Sequence, residues 1–237
     1  MNRRGGEAIK LTDVKGELND YAWSPDGKKL VLTIKDAEDT SKKGAKPYVI
    51  DRYHFKQDVA GYLYDKRKTH LYLFDIAAKK TDTLTSGKHN EGGVQWSPDG
   101  TKIAFVSNRT EDPDKNSNSD IFIIDAKPGA AAKQFTTWKG SDNSPQWSQD
   151  GKSIAYLRST SDENYIMYDQ PVLCFADATG GEPKLLSKNL DRPVSSPKWN
   201  KDGSSIAVLV TDDCQRYIGS YDAASGTFAK LTGGDKS

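Results

Sequence analysis

WSPDGKKLVL, starting at Trp23, returns as WSPDGTKIAF at Trp96, WSQDGKSIAY at Trp147 and WNKDGSSIAV at Trp199. A second mark, an apolar strand closed by aspartate, falls at HLYLFD (Asp75), DIFIID (Asp125), VLCFAD (Asp177) and YIGSYD (Asp222). From Asp75 to Trp96 is 21 residues, and from Asp125 to Trp147 and Asp177 to Trp199 it is 22. From each tryptophan to the aspartate of its own unit the interval is 52, 29, 30 and 23 residues. One connection is held to a residue, and the other absorbs the variation in length. This is the signature of a repeat architecture, in which one supersecondary unit stacks on copies of itself.

Each unit reads as four strands. The tryptophan ends the first strand, and Pro25 and Pro98 supply the φ near −65° of a type I turn. Gly27, Gly100, Gly151 and Gly203 are expected at the left-handed position that closes such a hairpin. The second strands (LVLTI, IAFV, IAYL, IAVLV) are almost continuously apolar, which predicts burial on both faces. LYLF, IFII, VLCF and YIGSY form the third strands; TDTLT, KQFT, KLLS and AKLT form more polar outer strands. Four-stranded units of this length are propeller blades. The expected fold is all-β, a β-propeller fragment of four four-stranded antiparallel blades plus an extra N-terminal outer strand. The spacing places that orphan strand at 8–12 and the blades at 18–86, 92–138, 143–188 and 195–233, with Trp23, Trp96, Trp147 and Trp199 packed between neighbours. The arc leaves two end faces apolar, so self-association through the end blades is expected.

Composition narrows the function classes. The chain has 237 residues, a net charge of +1, 35% apolar and 28% charged residues, so nothing argues for nucleic acid or membrane as partner. No stretch approaches the ~20 apolar residues of a membrane-spanning helix, and the first ten residues lack the apolar region of a signal peptide. Cys174 and Cys214 read as free thiols, and the compartment stays open between cytoplasm and periplasm. No cofactor is expected.

Catalytic residues are expected to be absent. No serine sits in the G-x-S-x-G context of a nucleophile elbow, and His54, His70 and His89 are the only histidines. Ser195 and Lys198 form an S-x-x-K, but strict strand alternation would put residues three apart on opposite faces. Asp112, Asp114, Asn116, Asn118 and Asp120 alternate like a calcium loop, yet Ser117 and Ile123 stand where the glycine and the bidentate glutamate belong. A polar turn is the favoured reading of that segment. Asn108-Arg109-Thr110 is a formal glycosylation sequon. The insertion of the first unit carries Tyr48, Arg52, Tyr53, His54, Phe55, Tyr62, Tyr64 and Arg67. Two readings stand: a hairpin whose aromatics pack on the neighbouring blade, or a surface facing substrate or another domain through Arg52, Tyr53, His54, Tyr62 and Arg67. All length variation lies on this end of the units, and insertions confined to one face of a repeat array mark the binding face.

KPYVIDRYHFKQDVAGYLYDKRKTHLYLFD and SNRTEDPDKNSNSDIFIID, together with WSPDGKKL and WSPDGTKIAF, resemble the N-terminal propeller of prolyl-oligopeptidase-type serine peptidases, in the acylaminoacyl-peptidase branch. The resemblance covers nearly the whole chain; its WSPDG elements are shared with Tol-type envelope propellers. It implies a non-catalytic propeller that gates peptide access to a C-terminal α/β-hydrolase domain absent from this sequence. The alternatives are a protein-binding envelope propeller without activity and a propeller enzyme such as a polysaccharide lyase. The scattered histidines count against the lyase.

Overall fold

The computed structural model describes residues 10–38, 49–59, 61–63, 65–160 and 169–233. Sixteen of its strands form four antiparallel four-stranded sheets. Blade one pairs β1 (Glu17–Trp23), β2 (Lys29–Lys35), β5 (Thr69–Asp75) and β6 (Lys80–Thr83); the hairpin β3 (Lys56–Gln57) and β4 (Gly61–Tyr62) is a separate sheet inside its insertion. Blade two holds β7 (Glu91–Trp96), β8 (Lys102–Ser107), β9 (Asp120–Asp125) and β10 (Lys133–Gln134). Blade three holds β11 (Asp142–Trp147), β12 (Ser153–Arg158), β13 (Val172–Asp177) and β14 (Lys184–Leu185). Blade four holds β15 (Val194–Trp199), β16 (Ser205–Asp212), β17 (Gln215–Asp222) and β18 (Phe228–Lys230). The first strands of successive blades approach one another, β1 to β7 to β11 to β15, so they line the inside of the arc. The described residues contain no helix long and apolar enough to cross a membrane.

The Trp-to-Gly segment builds the same hairpin four times. Gly27 donates its N–H to the Ser24 carbonyl at 2.9 Å with φ +69°, a conformation that costs an L side chain about 1–2 kcal/mol. Asp26 then accepts the Ser24 hydroxyl at 2.7 Å and the Lys28 N–H at 3.0 Å, and the Ser24 hydroxyl accepts the Lys29 N–H at 2.9 Å. Ser97 with Asp99 and Ser148 with Asp150 repeat this lock; Asn200 and Asp202 vary it. Backbone N–H and hydroxyl donors hold all four aspartates below the usual carboxylate range. The turns also stack. Pro25 lies 3.6 Å from where a Cβ on Gly100 would stand, and Pro98 lies 3.7 Å from the same point at Gly151. Gln149 replaces the proline in blade three, and the space at Gly203 is open.

Cores lie between blades. Val31, Leu71 and Leu73 of blade one pack with Trp96, Ile103, Phe105 and Phe122 of blade two. Ala104 and Ile121 meet Trp147, Ile154 and Tyr156 across the next gap, and Ala155, Leu157 and Leu173 meet Ile206, Val208 and Val210 across the last. Trp96 and Trp199 reach back to donate their indole N–H to Ala22 and Gln146 carbonyls of the preceding blade, at 3.1 and 3.0 Å. The buried indole N–H of Trp147 has no acceptor among the described residues.

Four expectations need correction. Trp23 does not pack between blades: it is 53% exposed, because no described blade precedes it. Lys10–Thr12 form no strand, and the rest of the expected orphan strand lies outside the described residues; Val14 instead packs on Leu30, Leu32, Ile34 and Phe74 of blade one. β16 is not buried on both faces; it alternates, with Ile206, Val208 and Val210 buried and Ala207 and Leu209 half-buried, as befits a blade packed on one side only. A bulge at Ser196 (φ +53°) overturns the alternation argument for Ser195 and Lys198, which pair with Leu209 and Ala207, two residues apart. The Lys198 ammonium is committed to Gln146 Oε1 at 3.0 Å, and Gln146 donates to Gln95 at 3.3 Å, a polar ladder along three inner strands.

A clip that the sequence reading missed fastens each outer strand. Thr85, Thr136, Ser187 and Thr232 accept, through their hydroxyls, the N–H of Leu71, Ile121, Leu173 and Ile218 at 2.8–2.9 Å. The legible signal was a hydroxyl residue directly after the apolar residue of every fourth strand: LT, FT, LS, LT.

Candidate functional site

β2 runs away from the Asp-Gly turns and β5 runs back, so the connection that leaves at Asp36 and returns at Lys68 starts and ends at the opposite end of the blade. The same holds for 108–119 in blade two. These two segments meet. The Asp114 carboxylate accepts the backbone N–H groups of Tyr53 and His54, the latter at 3.1 Å, and the His54 ring nitrogen Nδ1 lies 3.6 Å from Asp114 Oδ1. A carboxylate over two adjacent N–H groups satisfies donors that an irregular loop would otherwise leave to water.

The base of the first insertion is pinned by charge. Arg67 forks onto Asp65, with Nε at 3.0 Å and a terminal nitrogen at 2.7 Å, and also donates to the Asp36 carbonyl at 3.3 Å. Lys35 adds a contact to Asp65 at 2.6 Å. Arg67 and then Lys35 hold the Asp65 carboxyl far below its ordinary range. Arg67 is therefore a clamp. Tyr53, Phe55 and Tyr62 are 69%, 40% and 49% exposed, so these aromatics do not pack away on the neighbouring blade; Tyr48 and Tyr64 lie outside the described residues. Arg52 lines a cavity of about 380 Å³ with Asp51, Lys66, Lys68, Asn90 and Asp114. Of the five expected surface residues, Arg52, Tyr53 and His54 come together around Asp114, while Tyr62 stands apart under the Lys56 ammonium at 5.9 Å.

The alternating acidic segment disperses. Asp112 pairs with Lys115, Asp114 serves the first insertion, Asn116 bonds Asn108, Thr110 and the Asp112 carbonyl, and Asp120 turns inward to Thr136 and Gln134. The Asn118 side-chain oxygen is buried without a partner, and the described residues hold no group of three metal-ligating side chains. Asn108 of the sequon is half-buried and donates to Asn116 at 2.9 Å. Cys174 is a buried free thiol that burial pushes up to about 12, and Cys214 is an exposed free thiol.

Beneath this surface the gaps between blades differ in polarity. His70 Nδ1 lies 2.9 Å from Glu91 Oε2, which also accepts the Thr85 hydroxyl at 3.1 Å, while Arg109 reaches Oε1 at 3.4 Å. The Glu91 side chain is 1% exposed. In the next gap Arg158 holds Asp142 by two bonds at 2.9 and 3.0 Å and stacks on Trp138 at 5.1 Å. Burial raises the Asp142 carboxyl against the pull of Arg158, and raises Asp120 to about 6. In the last gap Val172 and Val194 occupy the matching places. The sequence reading passed over Glu91, Asp142 and Arg158; a charge opening the first strand of blades two and three, where blade four has valine, was the signal.

The model of the TolB beta propeller domain family matches residues 56–237. The uncharacterized peptidase YuxL of Bacillus subtilis is 31% identical over 132 residues, 52% of this chain and 20% of that protein. Dipeptidyl-peptidase 5 of Porphyromonas gingivalis is 28% identical over 141 residues, 59% of this chain and 20% of its own length. The aligned part thus spans about a fifth of these curated relatives. Among solved structures, the acylaminoacyl peptidase of Pyrococcus horikoshii superposes with a TM-score of 0.69 at 16% identity, over 96% of this chain and 34% of that one, a likeness of fold. The sheets, the repeated turns and the family match together make this chain a member of the TolB β-propeller domain family, a partial propeller of the kind found in peptidases.

Proposed function

We propose that this chain is the gating propeller of an acylaminoacyl-peptidase-like or prolyl-oligopeptidase-like serine peptidase. Its loop end faces peptide and a C-terminal α/β-hydrolase domain, and the arc restricts which peptides reach an active site carried outside these residues. The observation that carries the reading is the tie of Tyr53 and His54 to Asp114, which builds one surface from the two longest described departures from the repeat. The test joins the propeller to its hydrolase domain and replaces residues 49–66 by a short Gly-Ser link. Cleavage of long peptides should rise at least severalfold relative to a short chromogenic substrate. An equal effect on both would refute gating. The chain alone should take no label from a fluorophosphonate probe, since no serine has the elbow context.

A second reading, a protein-binding propeller of the envelope type, draws on the family description itself. A folded protein captured by the loop end at micromolar affinity, with no change in peptide selectivity on trimming, would favour it. On either reading the end faces invite association. Leu18, Tyr21 and Trp23 are 56%, 55% and 53% exposed at one end, and Ile218 and Leu231 are 39% and 59% exposed at the other. Sedimentation equilibrium at micromolar concentration should show more than the 26.1 kDa monomer, and a clean monomer would mean that these faces stay solvated.

A further inference from the structure

We propose that the cleft between the two long loops binds the carboxylate of a peptide, through Arg52 and Lys68. The argument is a charge balance. The cavity of about 380 Å³ falls within the range of small-ligand sites and takes its walls from both loops and from the blade-one-to-two connection at Asn90. It is lined by two carboxylates and three cations. Asp51 is neutralised by Lys66. Asp114 accepts the N–H groups of Tyr53 and His54, neutral donors that leave its charge in place, so three cations against two carboxylates give the lining a net charge of +1. Arg52 and Lys68 remain, both half-buried. The Arg52 guanidinium makes one long bond, 3.4 Å to the Asp65 carbonyl, and the Lys68 ammonium has no partner among the described residues. Asn90, on the cavity wall, accepts the Thr69 N–H at 3.0 Å through Oδ1 and keeps its amide NH₂ as a further donor.

Two unspent cations and an amide donor suit an acceptor-only anion, and a guanidinium fork matches the two oxygens of a carboxylate. A lining with one net positive charge favours a monoanion, because a second negative charge would go uncompensated. Peptide is the source because the site lies on the surface read above as peptide-facing, and this identification rests on that reading. The anchor would orient a bound peptide by its C-terminal carboxylate or by an acidic side chain.

The experiment titrates the isotopically labelled chain with N-acetyl-Ala-Ala, its C-terminal amide, N-acetyl-Ala-Glu-amide and inorganic phosphate, followed by amide NMR. Saturable shifts at residues 51–54, 66–68 and 90 are expected with either carboxylate peptide and not with N-acetyl-Ala-Ala-amide; which of the two binds more tightly identifies a terminal or a side-chain anchor. The double variant Arg52→Gln, Lys68→Gln should weaken binding at least tenfold while keeping the dispersed spectrum of the folded chain. Equal shifts from the uncharged amide, or unchanged affinity in the double variant, would overturn the site. Tighter binding of phosphate would overturn the assignment to carboxylate. Trimming residues 49–66 tests gating separately: binding here without any gating effect leaves the anion site standing and removes its place in peptide selection.

Discussion

The two ends of this propeller obey different rules. At the turn end three hairpins repeat one set of hydrogen bonds almost atom for atom and the fourth varies it, and prolines of the first two blades lie on glycines of the next. At the loop end the connections between second and third strands run over 36–68, 108–119, 159–171 and 213–214, and no two have the same length. The turn end carries backbone satisfaction and packing, so its sequence is confined. The loop end is freed from those duties and holds buried charge in two gaps, valine in the third, and the surface proposed for binding. Repetition marks scaffold; divergence marks the site.

The largest test of that contrast is Trp147→Ala, which removes an indole closing the gap between blades two and three. It should cost about 3–5 kcal/mol, read from denaturant midpoints. A loss under 1 kcal/mol would show that the turn end is no more confined than the loops. Trp147→Phe sharpens the point. Because the Trp147 N–H is already unpaired, this change should be milder than Trp96→Phe by about 1 kcal/mol.

At the loop end, Glu91→Ala removes the buried acceptor shared by the His70 ring, the Thr85 hydroxyl and the half-buried Arg109, and should cost about 3 kcal/mol. Glu91→Leu combined with His70→Leu, imitating the apolar gap between blades three and four, should recover most of that loss. Failure to recover would mean that the charges are indispensable to the fold there.

A smaller effect is a dependence on pH. The folded-state carboxyl of Asp120 is raised to about 6 from 3.8, chiefly by burial, so the folded chain binds that proton more tightly than the unfolded chain. Its contribution is therefore present below pH 3.8 and is lost as pH rises to about 6. The turn aspartates have lowered values and act oppositely, losing their contribution as pH falls below the ordinary range. The stability difference between Asp120→Asn and the parent should shift in the variant's favour from pH 4 to pH 6 and then level off. A flat difference would show that Asp120 titrates as if in water.

The smallest expected effect is Asp114→Ala. Global stability should move by no more than about 0.5 kcal/mol, the scale of a surface change. Amide exchange at Tyr53 and His54 should nevertheless speed up markedly. Unchanged exchange would dissolve the surface on which the binding proposal stands.

The same contrast explains what could be read in advance. Trp23, Asp26, Gly27 and their repeats are bound by local stereochemistry, so their spacing alone gave the blades and the strand order. The bulge at Ser196 was invisible to alternation because its φ of +53° is no residue preference of serine, so nothing at that position announces the register shift. The exposure of Trp23 depends on what stands beside blade one, which no motif within the blade encodes. Arg67 was grouped with the surface residues of the insertion because nothing in the spacing shows that its guanidinium folds back onto Asp65, two residues away. Asp114 was grouped with its sequence neighbours, whereas its partners sit 60 and 61 residues earlier, across a gap between blades. Contacts of that range follow from the assembled arc.

Blade four closes its second and third strands with Asp213 and Cys214 alone, both at positive φ, a two-residue turn of the primed class. That turn measures how little chain the architecture requires at this position. Lengthening the same connection from two residues to the thirty-three of 36–68 is about four doublings, an entropic charge of roughly 2–3 kcal/mol for closing the loop. Fully burying one leucine-sized side chain is worth about as much. A propeller can therefore acquire a long appendage at any blade for the equivalent of a single core contact, and new recognition surfaces can arise there without a second scaffold having to be built.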